Sequence, residues 1–122
     1  QGDKRIKVFY DAWLAQQEFI GRNWHEICQE IINSLPDKVY ITCDIDGFDP
    51  KLCPNTGTPV PGGIGFNQWC YLLKELVKSG RKIIGCDLVE VSCGNSNSDW
   101  DANVGARVLY EMIVCGLESI KK

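Results

Sequence analysis

The chain has 122 residues, 44% of them hydrophobic, which suffices for one compact domain with a buried core over residues 1–122. Its formal net charge is −3, and its Lys and Arg residues are scattered among Asp and Glu, which argues against a nucleic-acid-binding surface. No apolar run approaches the roughly eighteen residues that a membrane helix requires, so we expect a soluble protein with no membrane partner.

The cysteines indicate a reducing compartment. There are seven, an odd number, and no CxxC pair occurs, which is not typical of a secreted disulfide scaffold. Cys28, Cys70 and Cys86 lie in apolar runs, where a thiol packs as a small hydrophobic side chain. Cys53 and Cys93 lie in predicted loops. We therefore predict a cytoplasmic protein with reduced cysteines.

Strand and helix patterns alternate in about three units. The first unit has a strand over Arg5–Tyr10, then an irregular or helical stretch, and then a helix that Asn23 caps and Pro36 ends. The second has a strand over Lys38–Asp44 and a helix that starts near Asn67. The apolar faces of these two helices carry Trp24, Ile27, Cys28, Ile31 and Leu35, and then Trp69, Leu72, Leu73, Leu76 and Val77.

Gly80 stands where the C-cap glycine of the second helix is expected. In the third unit, the nearly continuous apolar run over Lys82–Val91 predicts a strand buried on both faces of a parallel sheet. A last helix is expected over Ala102–Ser119. Connections of this length are right-handed crossovers between parallel strands, so the fold class is α/β and all three strands should end at one edge. Open α/β folds bind their ligands at that edge.

Acidic residues gather at the predicted edge: Asp44 ends the second strand, Asp46 and Asp49 follow it, and Glu90 lies at the end of the third. Unpaired carboxylates in a dry site repel one another, so we expect a cation there, either a metal or a cationic substrate. Residues two apart in an extended strand point the same way, and paired carboxylates suit magnesium, calcium or manganese. The structural alternative is a turn through Gly47 with Asx-type hydrogen bonds.

Two other functions stay open at this point. The segment from Val39 to Gly47 is similar to the hydrophobic strand and Asp-x-Asp-Gly of haloacid-dehalogenase-type phosphatases, with Asp44 as the nucleophile. However, Phe48 replaces the usual Thr or Val, and the motif lies well inside the chain. The third interpretation is a non-catalytic α/β module whose acidic edge binds a basic partner.

A second motif follows the acidic one. Asp44 to Pro50 reads Asp-Ile-Asp-Gly-Phe-Asp-Pro, and Thr56 to Gly63 reads Thr-Gly-Thr-Pro-Val-Pro-Gly-Gly. A rigid Pro/Gly turn without chemistry is the structural alternative for the second segment. Together, over Val39–Val91, the motifs resemble the ureohydrolase family of arginases, agmatinases and formiminoglutamases. The resemblance implies a three-layer α/β/α fold with a mainly parallel sheet, of which this chain would hold about three strand-helix units.

The resemblance also implies site residues. Asp44 and Asp46 would be ligands of a binuclear manganese centre. Asp49 would hold the loop, and Asp87 would support the metal ligands without contacting the metal itself. Thr58 would lie on the substrate side or beside a ligand.

Within the Asp87–Val91 segment, Glu90 would face the guanidinium or amidine end of the substrate, since a carboxylate pairs well with a planar cation. A surface salt bridge is the structural alternative for Glu90. Cys93 stands where the family often has Pro. A Cys93 nucleophile would lack a histidine base beside it, so a loop cysteine is favoured.

The implied reaction is hydrolysis of a guanidino or formimino C–N bond, in which two metals lower the pKa of a bridging water. The GDHS-like and DAHxD-like elements that would complete the metal pair are absent, and the single histidine, His25, is predicted on the solvent side of its helix. The chain also begins at Gln1 without Met. We therefore expect the C-terminal part of a ureohydrolase, inactive without its N-terminal half, and a trimer or hexamer for the complete enzyme.

Overall fold

A computed structural model describes residues 3–95 and 97–121. The described elements are the helices α1 (Asp11–Phe19) and α2 (Trp24–Asn33), the strand β1 (Lys38–Asp44), a 3₁₀ turn (Ile45–Gly47), the helix α3 (Phe66–Lys78), the strand β2 (Lys82–Val89) and the helix α4 (Trp100–Ile120). No helix in this part of the chain is both long and apolar enough to cross a membrane.

The sheet is formed by β1 and β2, which run parallel from the Lys38–Lys82 pair to the Asp44–Val89 pair. The register shifts once, after Val39, so that β2 carries an extra residue there. The predicted α/β class with a parallel sheet is confirmed, and these two strands end at the same edge as expected.

The predicted strand over Arg5–Tyr10 is wrong, because residues 5–10 lead into α1 without joining the sheet. Ile6, Val8 and Tyr10 are exposed to solvent. A strand must pair its backbone N–H and C=O groups with a neighbouring strand. Among the described residues the sheet contains β1 and β2 alone, so β-forming side chains in this segment do not produce a strand.

The prediction that the third strand is buried on both faces is also wrong for the described residues. Helix α4 packs against β2 and α3 packs against α4, and Ile83 is buried beneath them. On the opposite face Ile84 is 61% exposed and Tyr40 is 58% exposed. The described helices therefore cover one face of the sheet and supply one helical layer of the expected three-layer arrangement.

The helix boundaries follow local signals. Asn23 and Glu26 form a capping box at the start of α2, which confirms the predicted cap at Asn23. The helix ends before Pro36. Gly80 follows the end of α3 with φ of 85°, which confirms the predicted C-cap glycine. Helix α4 begins two residues earlier than predicted and so includes Asp101.

The core lies between the sheet and the helices, and several cysteines belong to it. No disulfide joins any of the seven cysteines, all of which lie in the described part of the chain. Burial raises the pKa of Cys28 and of Cys43 to about 12, and that of Cys115 to about 11. These thiols therefore stay protonated and pack as apolar groups. The buried apolar cluster also includes Ile32, Val39, Ile45, Phe48, Leu73, Leu76, Val77, Ile83, Val104, Val108 and Met112.

The buried thiols make stability depend on alkaline pH. At the ordinary thiol pKa of 9.0 and above, the unfolded chain loses protons that the folded chain keeps, so the free energy of unfolding falls as the pH rises from 9.0 towards 12. Below that window the stability contribution of the protonated thiols is fully present and does not change with pH. We expect the melting temperature to drop more between about pH 8 and about pH 10.5 in the parent than in Cys43→Ala, as followed by circular dichroism. Equal drops would contradict the prediction.

Candidate functional site

The ends of β1 and β2 bring acidic residues together. Asp44 is the last residue of β1, and its partner across the sheet is Val89, so Glu90 directly follows that partner. Neighbouring strands lie about 4.8 Å apart, which makes the two strand ends adjacent. Asp44 and Glu90 are exposed and Asp46 is half-buried, so a ligand can reach all three.

Asp44 and Asp46 are held together by a turn. The prediction that both lie on extended backbone is wrong, because Ile45–Gly47 forms the 3₁₀ turn. The Oδ1 atom of Asp44 accepts a hydrogen bond from the backbone N–H of Asp46 over 3.1 Å and caps this turn. The Asx-type turn considered as the structural alternative is thus present, and it occupies one of the two oxygens of Asp44.

The proline-glycine loop, residues 56–63, folds back onto the turn formed by residues 44–47, which we call the acidic turn. The hydroxyl of Thr58 donates a hydrogen bond to Oδ2 of Asp46. Nearby, Oδ1 of Asp49 accepts a hydrogen bond of 2.9 Å from the backbone N–H of Lys51, so Asp49 shapes the start of the same loop. The two motifs that lie apart in the sequence are therefore in direct contact.

Glu90 is attached to the same loop. Its backbone carbonyl accepts a hydrogen bond of 2.9 Å from the hydroxyl of Thr56, which is 5% exposed. The backbone at Glu90 has φ of 65°, a left-handed conformation that ends β2 before the predicted Val91 and that non-glycine residues adopt at some cost. A Cβ atom on Gly57 would lie 3.6 Å from Oε2 of Glu90.

Residues 56–58 thus form a bridge between the two strand ends, which we call the TGT bridge. Thr56 holds the backbone of Glu90, Gly57 lies beside its carboxylate, and Thr58 holds Asp46. The TGT bridge fixes the position of one strand end relative to the other.

Asp101 is a residue that the sequence analysis missed. It lies in the first turn of α4, is 2% exposed, and accepts hydrogen bonds of 2.9 Å from both the backbone N–H and the side-chain amide of Asn55. An acidic residue in the first turn of a helix is a known N-terminal signal. The signal was available, but the predicted helix began at Ala102.

Asp87 lies on the exposed face of the sheet, before the strand end. Its Oδ1 atom accepts a hydrogen bond of 2.8 Å from the hydroxyl of Thr42, its partner on β1. A hydrogen bond with Asp87 also raises the pKa of Tyr40. The carboxylate therefore links side chains across the exposed face of the two strands.

His25 and Cys93 lie elsewhere. Nδ1 of His25 is 2.9 Å from the hydroxyl of Tyr71 on α3, and the His25 side chain is 53% exposed, as predicted for a solvent-facing histidine. Cys93 is half-buried in the loop after β2.

Two carboxylates are available for a metal ion. Within residues 3–95 and 97–121, no three His, Cys, Asp or Glu side chains converge on a point where they could hold one. The side chains of Asp44 and Asp46 supply hard oxygen donors of the kind that manganese prefers. These residues fit a manganese site in chemical type but supply only part of a complete ligand set.

Comparisons with known proteins agree on one family. A model described as the Arginase family matches residues 6–115. The chain is 43% identical to an agmatinase of Proteus mirabilis over 94 residues, which is 77% of this chain and 29% of that protein. It is 39% identical to the mitochondrial arginase-2 of Mus musculus over 112 residues, 88% of this chain and 31% of that protein.

A solved structure shares the fold. The crystal structure of a hypothetical agmatinase from Burkholderia thailandensis superposes with a TM-score of 0.71 and 26% identity, covering 95% of this chain and 38% of that one. The chain spans less than a third of the length of the curated relatives that it matches.

Proposed function

Because this chain belongs to the arginase family, we propose that it is the C-terminal part of a manganese-dependent ureohydrolase that hydrolyses a guanidino or formimino C–N bond. The family match favours this function over a dehalogenase-type phosphatase and over a non-catalytic binding module. The observation that carries the proposal is the TGT bridge, which ties Asp46 to Thr58 and Glu90 to Thr56. A site built from both strand ends needs such a link.

Glu90 is proposed to bind the planar cationic end of the substrate. A carboxylate can accept two parallel hydrogen bonds from a guanidinium or amidine group, which fixes both the position and the plane of the reacting carbon. The carboxylate of Glu90 is exposed beside Gly57 and is therefore open to a ligand. In this role Glu90 orients the carbon and does not transfer a proton.

Asp44 and Asp46 are proposed as ligands of a manganese pair. Each has one carboxylate oxygen engaged in holding the turn or the TGT bridge, which orients the other oxygen. A metal pair bound there would supply water with a lowered pKa for the hydrolysis. The remaining ligands would come from an N-terminal half outside this chain, so we propose that residues 1–122 form one C-terminal portion that is inactive by itself.

The proposed substrate class is a linear guanidino compound. Matching relatives are named agmatinase, guanidinobutyrase, N(1)-aminopropylagmatine ureohydrolase and arginase. Those names share a guanidino substrate, which suits the carboxylate of Glu90. Formiminoglutamate carries a related planar group and stays within the proposal. The resemblance further supports a homo-oligomer, a trimer or hexamer, for the complete enzyme, and the free cysteines support a cytoplasmic location.

Manganese titration of the full-length protein by calorimetry tests the proposal. We expect Asp44→Asn and Asp46→Asn each to weaken manganese binding by about tenfold or more, because each removes a charged oxygen donor. Hydrolysis of arginine, agmatine and 4-guanidinobutyrate, measured as urea release, should fall with it. Asp37→Asn is the matched control, since Asp37 precedes β1 at the opposite end of the same strand.

The outcomes separate the three functions. Parent-like metal binding and urea release in both variants would eliminate the ureohydrolase proposal. Covalent labelling of Asp44 by an acyl-phosphate donor would establish the phosphatase instead. A parent protein without any response to manganese would favour the binding module.

A further inference from the structure

We propose that Asp101 is a positioning residue that fixes residues 51–58 against α4 and thereby keeps Thr58 on Asp46. This inference rests on the proposed function for its effect on the reaction. Asp101 does not belong to the strand ends and would not touch the substrate. We call its contacts with Asn55 the Asp101 clasp.

The Asp101 clasp is built as a specific contact. A carboxylate that is 2% exposed is unfavourable unless hydrogen-bond donors surround it. Its two oxygens each accept one bond of 2.9 Å from Asn55, one from the backbone and one from the side chain. The position of Asp101 in the first turn of α4 adds the favourable field of the helix N-terminus.

A second bond secures the start of the same segment. The indole N–H of Trp100 donates a hydrogen bond of 2.9 Å to the backbone carbonyl of Lys51. Two consecutive residues of α4 therefore hold residues 51 and 55. Between them, the thiol of Cys53 lies 3.1 Å from the carbonyl oxygen of Ile45 and ties the segment to the acidic turn.

The Asp101 clasp limits where Thr58 can go. Thr58 follows the fixed Asn55 by three positions in the chain, and three positions span at most about 10 Å when fully extended. Thr56 is anchored on Glu90 within that distance. With Asn55 held in both backbone and side chain, the TGT bridge has little freedom and Thr58 stays within reach of Asp46.

The test uses the full-length protein with saturating manganese and two single variants. In Asp101→Ala both N–H donors of Asn55 lose their acceptors, and in Asn55→Asp two carboxylates face each other. We expect each to raise KM for the guanidino substrate by about tenfold, since the TGT bridge carries substrate-side groups. Urea release gives KM and kcat separately.

The double variant Asp101→Asn/Asn55→Asp is the rescue. The new amide at position 101 can donate to the new carboxylate at position 55 while its oxygen still accepts the backbone N–H, so both bonds return with one polarity reversed. We expect its KM to lie within about twofold of the parent value. A residue that matters for stability alone would not show this recovery in KM.

Ser119→Ala is the matched control at the other end of α4. The hydroxyl of Ser119 is buried, accepts a hydrogen bond of 2.9 Å from the N–H of Ile83 and donates one of 2.7 Å to the carbonyl of Gly116. Its loss should lower the melting temperature and leave KM unchanged. Hydrogen exchange of residues 51–58 should accelerate in Asp101→Ala and not in Ser119→Ala.

Different results would contradict the Asp101 clasp and the proposed function. If Asp101→Ala changes KM no more than Ser119→Ala does, or if the double variant fails to recover the KM lost in Asn55→Asp, the Asp101 clasp is not a positioning device. If the parent releases no urea from any guanidino compound, the proposed function is lost. Hydrogen exchange then still tests whether Asp101 holds residues 51–58, and equal exchange rates in Asp101→Ala and Ser119→Ala would overturn the Asp101 clasp.

Discussion

Replacing Glu90 by Gln in the full-length protein is expected to lower kcat/KM for a guanidino substrate by about 100-fold to 1000-fold. The substitution keeps the shape and the hydrogen-bonding oxygen of the side chain but removes its charge. The charge-assisted pair with a planar cation then becomes a single hydrogen bond to a neutral oxygen, and the charge of the cation is left uncompensated. Steady-state urea release at saturating manganese measures the change.

Manganese affinity separates this effect from damage to the metal site. Glu90 is not proposed as a ligand, so calorimetry should give the parent value for Glu90→Gln, unlike for Asp44→Asn. Glu118→Gln, the same change at an exposed position on α4, is the control and should behave as the parent. A kcat/KM in Glu90→Gln within about threefold of the parent would remove Glu90 from the substrate site.

The substitution Gly63→Ala is expected to lower the free energy of unfolding by about 3 kcal/mol or more. Gly63 has φ of 84°, and a Cβ atom there would overlap the carbonyl group of Phe48, with its oxygen at 2.5 Å, and would lie 2.8 Å from the backbone nitrogen of Asp49. These contacts are with backbone and cannot be relieved by a side-chain rotation.

The segment around residue 63, which Gly63→Ala would displace, is hydrogen-bonded to the acidic turn and to Asp49. The backbone N–H of Ile64 donates to the carbonyl of Gly47 over 3.2 Å, and the N–H of Asp49 donates to the carbonyl of Ile64 over 3.0 Å. Pushing residue 63 away from Phe48 therefore breaks a bridge that supports Asp46 and Asp49. Denaturant unfolding should show the loss of stability, and manganese binding should weaken in the same variant.

Gly80→Ala is a control matched in backbone conformation. Gly80 has φ of 85°, nearly the same as Gly63, but a Cβ atom there meets no atom within 4 Å. It should lose only the cost of a left-handed alanine, about 1 kcal/mol. If the two alanine variants lose equal stability, the close approach of Gly63 to Phe48 has no energetic weight.

Local signals made much of the fold predictable. Strand β1 was predicted with the observed boundaries because a short run of β-forming residues is bounded by Pro36 and Gly47. Helix α2 was predicted from the cap at Asn23, and the end of α3 from Gly80. The order of these elements then placed the acidic residues at one edge, since parallel strands end together.

What could not be predicted depends on residues far apart in the chain. Residues 5–10 have a strand composition but no partner strand within the described part of the chain. Asp101 contacts Asn55, which lies 46 positions earlier, and the backbone of Glu90 is held by Thr56, 34 positions earlier. No periodicity or capping rule relates such distant positions, so the Asp101 clasp and the TGT bridge required the structure.

The left-handed backbone at Glu90 is unfavourable for folding, whereas the Glu90 side chain is the group proposed to bind the substrate. Glycine would adopt φ of 65° without strain, whereas a residue with a Cβ atom loses about 1 kcal/mol there. Selection for stability alone would therefore replace the glutamate. A glutamate that is kept in this conformation therefore indicates a role other than folding. Binding of a substrate by its carboxylate would be such a role. Directed evolution for thermostability without a selection for activity should therefore replace Glu90 by glycine in its early rounds.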